Sequence, residues 1–149
     1  EYESRVAAYP TDRQIKFELG RRYFEAGRFD DCIALLQEAK TDPKLRIRSQ
    51  QYLGQAFNAI GFFDGAIETY RGALEGQVSD GELGMELRYG LMTALRGRAE
   101  ELSDLGSAEE AYKIASGIAI QSFSYRDIRA QREFLKDLVA KFKGGGGKS

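Results

Sequence analysis

The stretch Leu19–Ala39 reads LGRRYFEAGRFDDCIALLQEA, and Leu53–Ala73 reads LGQAFNAIGFFDGAIETYRGA. At this offset of 34 residues seven positions are identical: Leu19/Leu53, Gly20/Gly54, Gly27/Gly61, Phe29/Phe63, Asp30/Asp64, Ile33/Ile67 and Ala39/Ala73. Ordinary composition gives about one or two by chance. Tyr23/Phe57 and Leu36/Tyr70 match conservatively in the same register. The spacing predicts two helices per repeat. In LGRRY and LGQAF the leucine and the aromatic stand four apart, on one helical face. Gly27 and Gly61 fall where the first helix stops, since glycine suits a left-handed cap. Gly20 and Gly54 each cost roughly 1 kcal/mol of helix propensity against alanine, which close approach by a neighbouring helix offsets. In the second helix Cys32 and Ala66 hold a small slot where two helices cross.

The 34-residue period, with Leu19-Gly20…Tyr23 and Cys32…Leu36, then Leu53-Gly54…Phe57 and Ala66…Tyr70, resembles the tetratricopeptide repeat family. The pattern departs from the family where a large aromatic precedes the leucine by three: Lys16 and Gln50 stand there. The two prolines, Pro10 and Pro43, each precede a predicted first helix and lie 33 apart, one short of the period. The resemblance implies an all-α solenoid of antiparallel helix pairs, about three repeats and a C-terminal capping helix. The segments are 10–43, 44–78 and 79–122, then the cap over 123–142 and a flexible Gly-rich tail over 143–149. Residues 1–9, with Tyr2 in the register of Leu36 and Tyr70, read as the end of a preceding repeat helix. The start at Glu1 and the linker-like end suggest a segment of a longer protein, which leaves localisation open.

The third repeat carries an insertion. Tyr89-Gly90 stands for the Leu-Gly pair, Gly97 follows by seven, and GRAEEL at Gly97 is echoed by GSAEEA at Gly106, a nine-residue duplication. Either the first helix runs to about Asp104, or it stops at Gly97 and the second helix is long. Ser107 with Glu110, a capping box, favours the first, with a second helix over 107–120 and Ala111 in its small slot. Ser79 with Glu82 opens the first helix in the same way. Ser124 with Asp127 opens the last one, whose apolar stripe is Ile128, Leu135, Leu138, Val139 and Phe142.

Composition narrows function. Net charge is −1, from 22 basic and 23 acidic residues, where a nucleic-acid binder is usually clearly basic. No apolar run approaches the ~18 residues of a membrane span. There is no histidine, hence no commonest general base or metal ligand. Cys32, the single cysteine, has no such partner and reads as packing. Asp30-Asp31, Glu100-Glu101 and Glu109-Glu110 lie at helix starts or on solvated faces. The terminal GGGGKS lacks the first glycine of a phosphate loop, since Phe142 stands there, and no helix follows. We therefore expect no enzyme, no cofactor and no metal.

In the tetratricopeptide family the first helices line a groove for an extended peptide. The resemblance implies a lining of Gln14, Phe17, Arg21 and Phe24, then Arg48, Gln51, Gln55 and Asn58, then Leu87, Leu91 and Ala94. Phe17 and Phe24 would be apolar anchors, the amides would pair with peptide main chain, and Arg21 and Arg48 would take a carboxylate. The family's Lys/Asn clamp for chaperone tails is absent, since Phe17, Arg21 and Tyr52 hold its positions. The implied function is an interaction module that binds a peptide or protein segment and scaffolds a complex. A spacer or self-association unit, forming a homo-oligomer through the third hairpin, and a regulatory domain of a larger protein are the alternatives. The register makes its own test: Ala66→Leu should cost about 1–3 kcal/mol by crowding a helix crossing. Glu68→Gln should stay within about 0.5 kcal/mol in the same denaturant titration.

Overall fold

A computed structural model describes residue 3, residues 12–76 and residues 81–146, the side chains of 145 and 146 excepted. Among the described residues there are seven helices and no strand: α1 Arg13–Glu25, α2 Phe29–Ala39, α3 Arg46–Ala59, α4 Phe63–Gly76, α5 Gly81–Leu102, α6 Leu105–Gln121 and α7 Ile128–Gly146. They fall into two compact units, α1–α4 and α5–α7. Within each unit consecutive helices pack in pairs: α1 on α2, α2 on α3 and α3 on α4, then α5 on α6 and α6 on α7. The expected preceding helix over 1–9 lies outside the described residues, save Glu3. So do Ser79 of the expected α5 capping box and the last three residues of the tail.

The turns carry the repeat. After α1, Gly27 adopts φ +76°, Gly27 N–H donates to Phe24 O and Arg28 N–H to Tyr23 O. After α3, Gly61 adopts φ +81°, with Gly61 N–H on Asn58 O and Phe62 N–H on Phe57 O. Both are Schellman caps, in which a left-handed residue lets two amides satisfy carbonyls that the helix end leaves open. The flanking side chains close over each turn: Arg28 stacks 4.1 Å from the Tyr23 centroid, and the Phe57 and Phe62 rings meet edge to face at 5.3 Å.

After α5 the same turn is made by Ser103, at φ +51°, with Asp104 N–H donating to Ala99 O. α5 thus runs through Gly97, as the capping argument favoured, and its 22 residues exceed the 14 of α3 by one long insertion of eight. The second helix starts two residues after each left-handed residue, at Phe29, Phe63 and Leu105. It does not start at Ser107. Ser107 instead donates its hydroxyl to the Asp104 carboxylate, which this bond holds below its ordinary range.

Counting from the turn aligns the cores. Leu19, Leu53 and Leu95 are buried eight residues before it, and Ala39, Ala73 and Ala115 twelve residues after it. Cys32 and Ala66 correspond to Ala108; the expected Ala111 is also fully buried, one helical turn on. Gly54 shows why its slot is small. A Cβ there would stand 2.7 Å from the Tyr70 ring, well inside van der Waals contact. α7 opens at Ile128, four residues after the expected Ser124, and continues to Gly146, so the first glycines of the tail extend the helix. Ile128, Leu135 and Leu138 of its stripe are buried.

Serine is a poor left-handed residue. Ser103→Gly should therefore raise stability by about 0.5 kcal/mol, relief of strain exceeding the entropy glycine adds to the unfolded chain. Gly61→Ala should lower it by about 1 kcal/mol. Opposite signs in chemical denaturation are the expected result; a loss from Ser103→Gly would refute the turn.

Candidate functional site

The first helices present two separate surfaces, one in each unit. In the first unit, α1 begins where the Asp12 carboxylate accepts from Ile15 N–H at 3.1 Å. This start directs Ile15 and Leu19 inward and leaves Phe17, Arg21 and Phe24 on a half-buried face. Phe17 meets Tyr52 of α3 edge to face at 6.0 Å. Phe24 meets Tyr52 at 5.4 Å and Phe29 at 5.6 Å. Both phenylalanines pack against the cluster of Cys32, Leu36, Leu53 and Ala56. They are thus tied into the core of this unit, where the sequence reading had them facing a groove and free of it. Gln14 and Gln55 are exposed, Gln14 donating to Glu18 at 3.3 Å; Gln51 and Asn58 are half-buried. Arg48 is exposed and Arg21 half-buried, so these two cations are the face's strongest polar features. Cys32 beneath is fully buried, and burial with the nearby Asp31 and Asp30 charges raises its thiol to about 11, far from a reactive thiolate.

In the second unit the expected lining is corrected. Leu87 and Ala94 are fully buried and Leu91 is 5% exposed, so none offers a side chain to an open groove. The cause is register. Those positions were counted from Gly97, but the turn lies at Ser103, six residues on. Six residues turn a helix by roughly 600°, about 120° short of two full turns, which carries the chosen residues onto the buried side. Counted from Ser103, the position of Phe24 and Asn58 is Glu100, which is exposed.

Glu100 lines a cleft of about 440 Å³, with Ser103 of the turn and Phe134, Asp137, Leu138, Lys141 and Phe142 of α7. Its lining mixes apolar Phe134, Leu138 and Phe142 with charged Glu100, Asp137 and Lys141. A polar chain holds the two walls. Arg96 of α5 donates to Glu100 at 3.2 Å and to Gln131 Oε1 at 2.7 Å, and its guanidinium lies 3.6 Å from the Phe134 centroid. Gln131 Nε2 donates to Asp127 at 3.1 Å, and Asp127 accepts from the Tyr89 hydroxyl. The contacts pair residue 89 with 127, 96 with 131 and 134, and 100 with the cleft. α5 and α7 therefore run side by side in the same direction, as successive first helices would. Lys143 to Glu109 at 3.5 Å and Arg132 to Ser116 at 3.2 Å tie the other side of α7 to α6.

The signal for this cleft was present in part. Phe142 and Leu138 stood in the predicted stripe of α7, but Phe134, Asp137 and Lys141 are recognisable only once α5 is known to lie beside them. Among the described residues, no group of three or more Cys, Asp or Glu is placed to hold a metal ion, and no helix is long and apolar enough to cross a membrane. No family model matches the chain, and no curated protein does.

The Tyr89–Asp127 bond needs a neutral phenol and an ionised carboxylate. Burial, then this bond, raises Tyr89 from 10.0 to about 12. The bond lowers Asp127 below 3.8. A lowered carboxylate contributes stability above its unfolded value of 3.8 and loses it as pH falls through the folded value. A raised phenol contributes fully below 10.0 and loses its contribution as pH rises through about 12. Asp127→Asn should flatten the decline of unfolding midpoint below about pH 4. Tyr89→Phe should flatten the alkaline decline. Unchanged limbs in both variants would contradict the bond.

Proposed function

We propose that this chain is a protein–protein interaction module of tetratricopeptide type, a helical-repeat solenoid whose first-helix faces bind a peptide or protein segment and scaffold a complex. The observation that carries this reading is the α5–α7 cleft. Its volume suits one or two side chains, its Phe134, Leu138 and Phe142 offer apolar contact, and its Glu100, Ser103, Asp137 and Lys141 offer polar pairing. The turn-by-turn equivalence of Gly27, Gly61 and Ser103 and the pairwise helix packing support the repeat architecture. Arg21 and Arg48 supply a second, cationic contact face. The absence of histidine favours a binding role over catalysis. A second reading, self-association through the lengthened α5–α6 hairpin, draws on Leu102, which is 60% exposed at its end.

Selection of a random 12-residue displayed peptide library on the full chain tests the leading reading. Enriched sequences should bind the wild type and lose about tenfold affinity in Phe142→Ala, or a smaller, salt-sensitive amount in Arg21→Ala and Arg48→Ala. If no sequence is enriched over an unrelated helical protein, or none of the three variants changes binding, the reading fails. A concentration-dependent dimer lost in Leu102→Glu would move self-association ahead.

A further inference from the structure

We infer that the α5–α7 cleft selects a basic side chain, a lysine or arginine of the partner segment, seated with its hydrocarbon stem on Phe134, Leu138 and Phe142 and its charge toward Asp137 and the C-terminal end of α5. This rests on the peptide-binding reading and assigns the chemical class of its ligand. Two independent features point the same way.

The first is the end of α5. A helix C-terminus carries the negative end of the helix dipole and is ordinarily matched by cations in the last turn. The last turn of α5 has no basic residue, and it holds Glu100 and Glu101, with Asp104 just beyond the turn. Arg96 reaches Glu100 at 3.2 Å, and Arg98 reaches Asp104 at 3.9 Å. These cations stand earlier on the same helix. Arg96 is turned toward α7, where Gln131 and Phe134 hold it. Glu101, exposed in the same last turn, adds to the negative charge at the end of α5, which an arriving cation relieves.

The second is the cleft itself. Of its charged lining residues, Glu100 and Asp137 are acidic and Lys141 is basic. Two phenylalanines and a leucine complete the lining, Leu138 buried and Phe134 38% exposed. Lysine and arginine combine an apolar stem with a charged head and bury the one while keeping the other at a wet rim. Aromatic rings add cation–π attraction. The cleft already shows this chemistry from within, since the Arg96 guanidinium lies 3.6 Å from the Phe134 centroid. An acidic side chain would meet Asp137 and the negative end of α5, while Arg96 is already engaged by Glu100. A wholly apolar one would leave Asp137 without a counter-charge from the ligand.

The experiment uses peptides enriched from the random 12-residue library, titrated by fluorescence anisotropy against the full chain and its variants. Peptides that lose binding in Phe142→Ala occupy the cleft. They should share a lysine or arginine next to an apolar residue, and its replacement by glutamine should weaken binding about tenfold. Asp137→Asn should weaken it about three- to tenfold, and Lys141→Glu should tighten it about threefold. All these effects should shrink as salt rises. Tightening in Lys141→Glu cannot come from a damaged fold. Thermal unfolding of Asp137→Asn, which alters an exposed residue, separates a binding loss from a stability loss. If cleft-binding peptides carry no common basic residue, or hold their affinity in Asp137→Asn and Lys141→Glu, this inference is overturned while the peptide-binding reading stands. If nothing is enriched, or every enriched peptide is indifferent to Phe142→Ala, the cleft has no such role and the inference falls.

Discussion

The left-handed residue that ends each first helix sets the register of each hairpin. At Gly27, Gly61 and Ser103 the backbone reverses within two residues, and the next helix begins at a fixed distance. That distance decides which side chains face inward: a leucine eight residues before the turn and an alanine twelve after it, in all three hairpins. The turn satisfies helix-end carbonyls that burial would otherwise leave costly. Glycine makes it cheaply at two places. At the third a serine makes it, and the hydrogen bond of Asp104 N–H to Ala99 O shows that the geometry persists without glycine.

The eight extra residues of α5 have a structural consequence. They are inserted before the turn, so the hairpin lengthens without changing the start of α6 relative to Ser103. The added length gives α5 a last turn that can stand beside the middle of α7. Polar contacts fix that alignment: Tyr89 to Asp127, Gln131 to both Asp127 and Arg96, and Arg96 onto Phe134. Each group in this chain is partnered, the condition under which a polar network positions elements and does not merely cost desolvation. The cleft is the space left where the network ends and the apolar side chains of α7 continue.

Much of the fold was legible because its signals are local. Glycine at a 34-residue interval marks a left-handed turn, and an apolar residue every three or four positions marks a buried helix face. The hairpins at Gly27 and Gly61, the burial of Cys32 and Ala66, and the stripe of α7 follow from those signals. The capping box at Ser107 favoured a third turn near Asp104, and the residue that adopts φ +51° is Ser103, but the lining was still counted from Gly97. That one displacement moved Leu87, Leu91 and Ala94 from a groove to the buried side. In the first unit the expected lining residues are exposed or half-buried, but two of them also pack inward. Phe17 and Phe24 have the periodicity of a groove face, but Tyr52 and Phe29 close on them, and a contact between helices is not written in the spacing of either one.

The two first-helix faces are therefore unequal, for one physical reason. On α1 and α3 the large aromatics point at each other, so much of their apolar surface goes into mutual packing. Between α5 and α7, Tyr89 and Arg96 of α5 meet Asp127, Gln131 and Phe134, and beyond them Glu100 is the α5 helix residue that lines the cleft. Arg96 bridges one end of that gap and leaves the other open. Phe134, on which Arg96 lies, and Leu138 and Phe142 line that gap beside the carboxylates of Glu100 and Asp137.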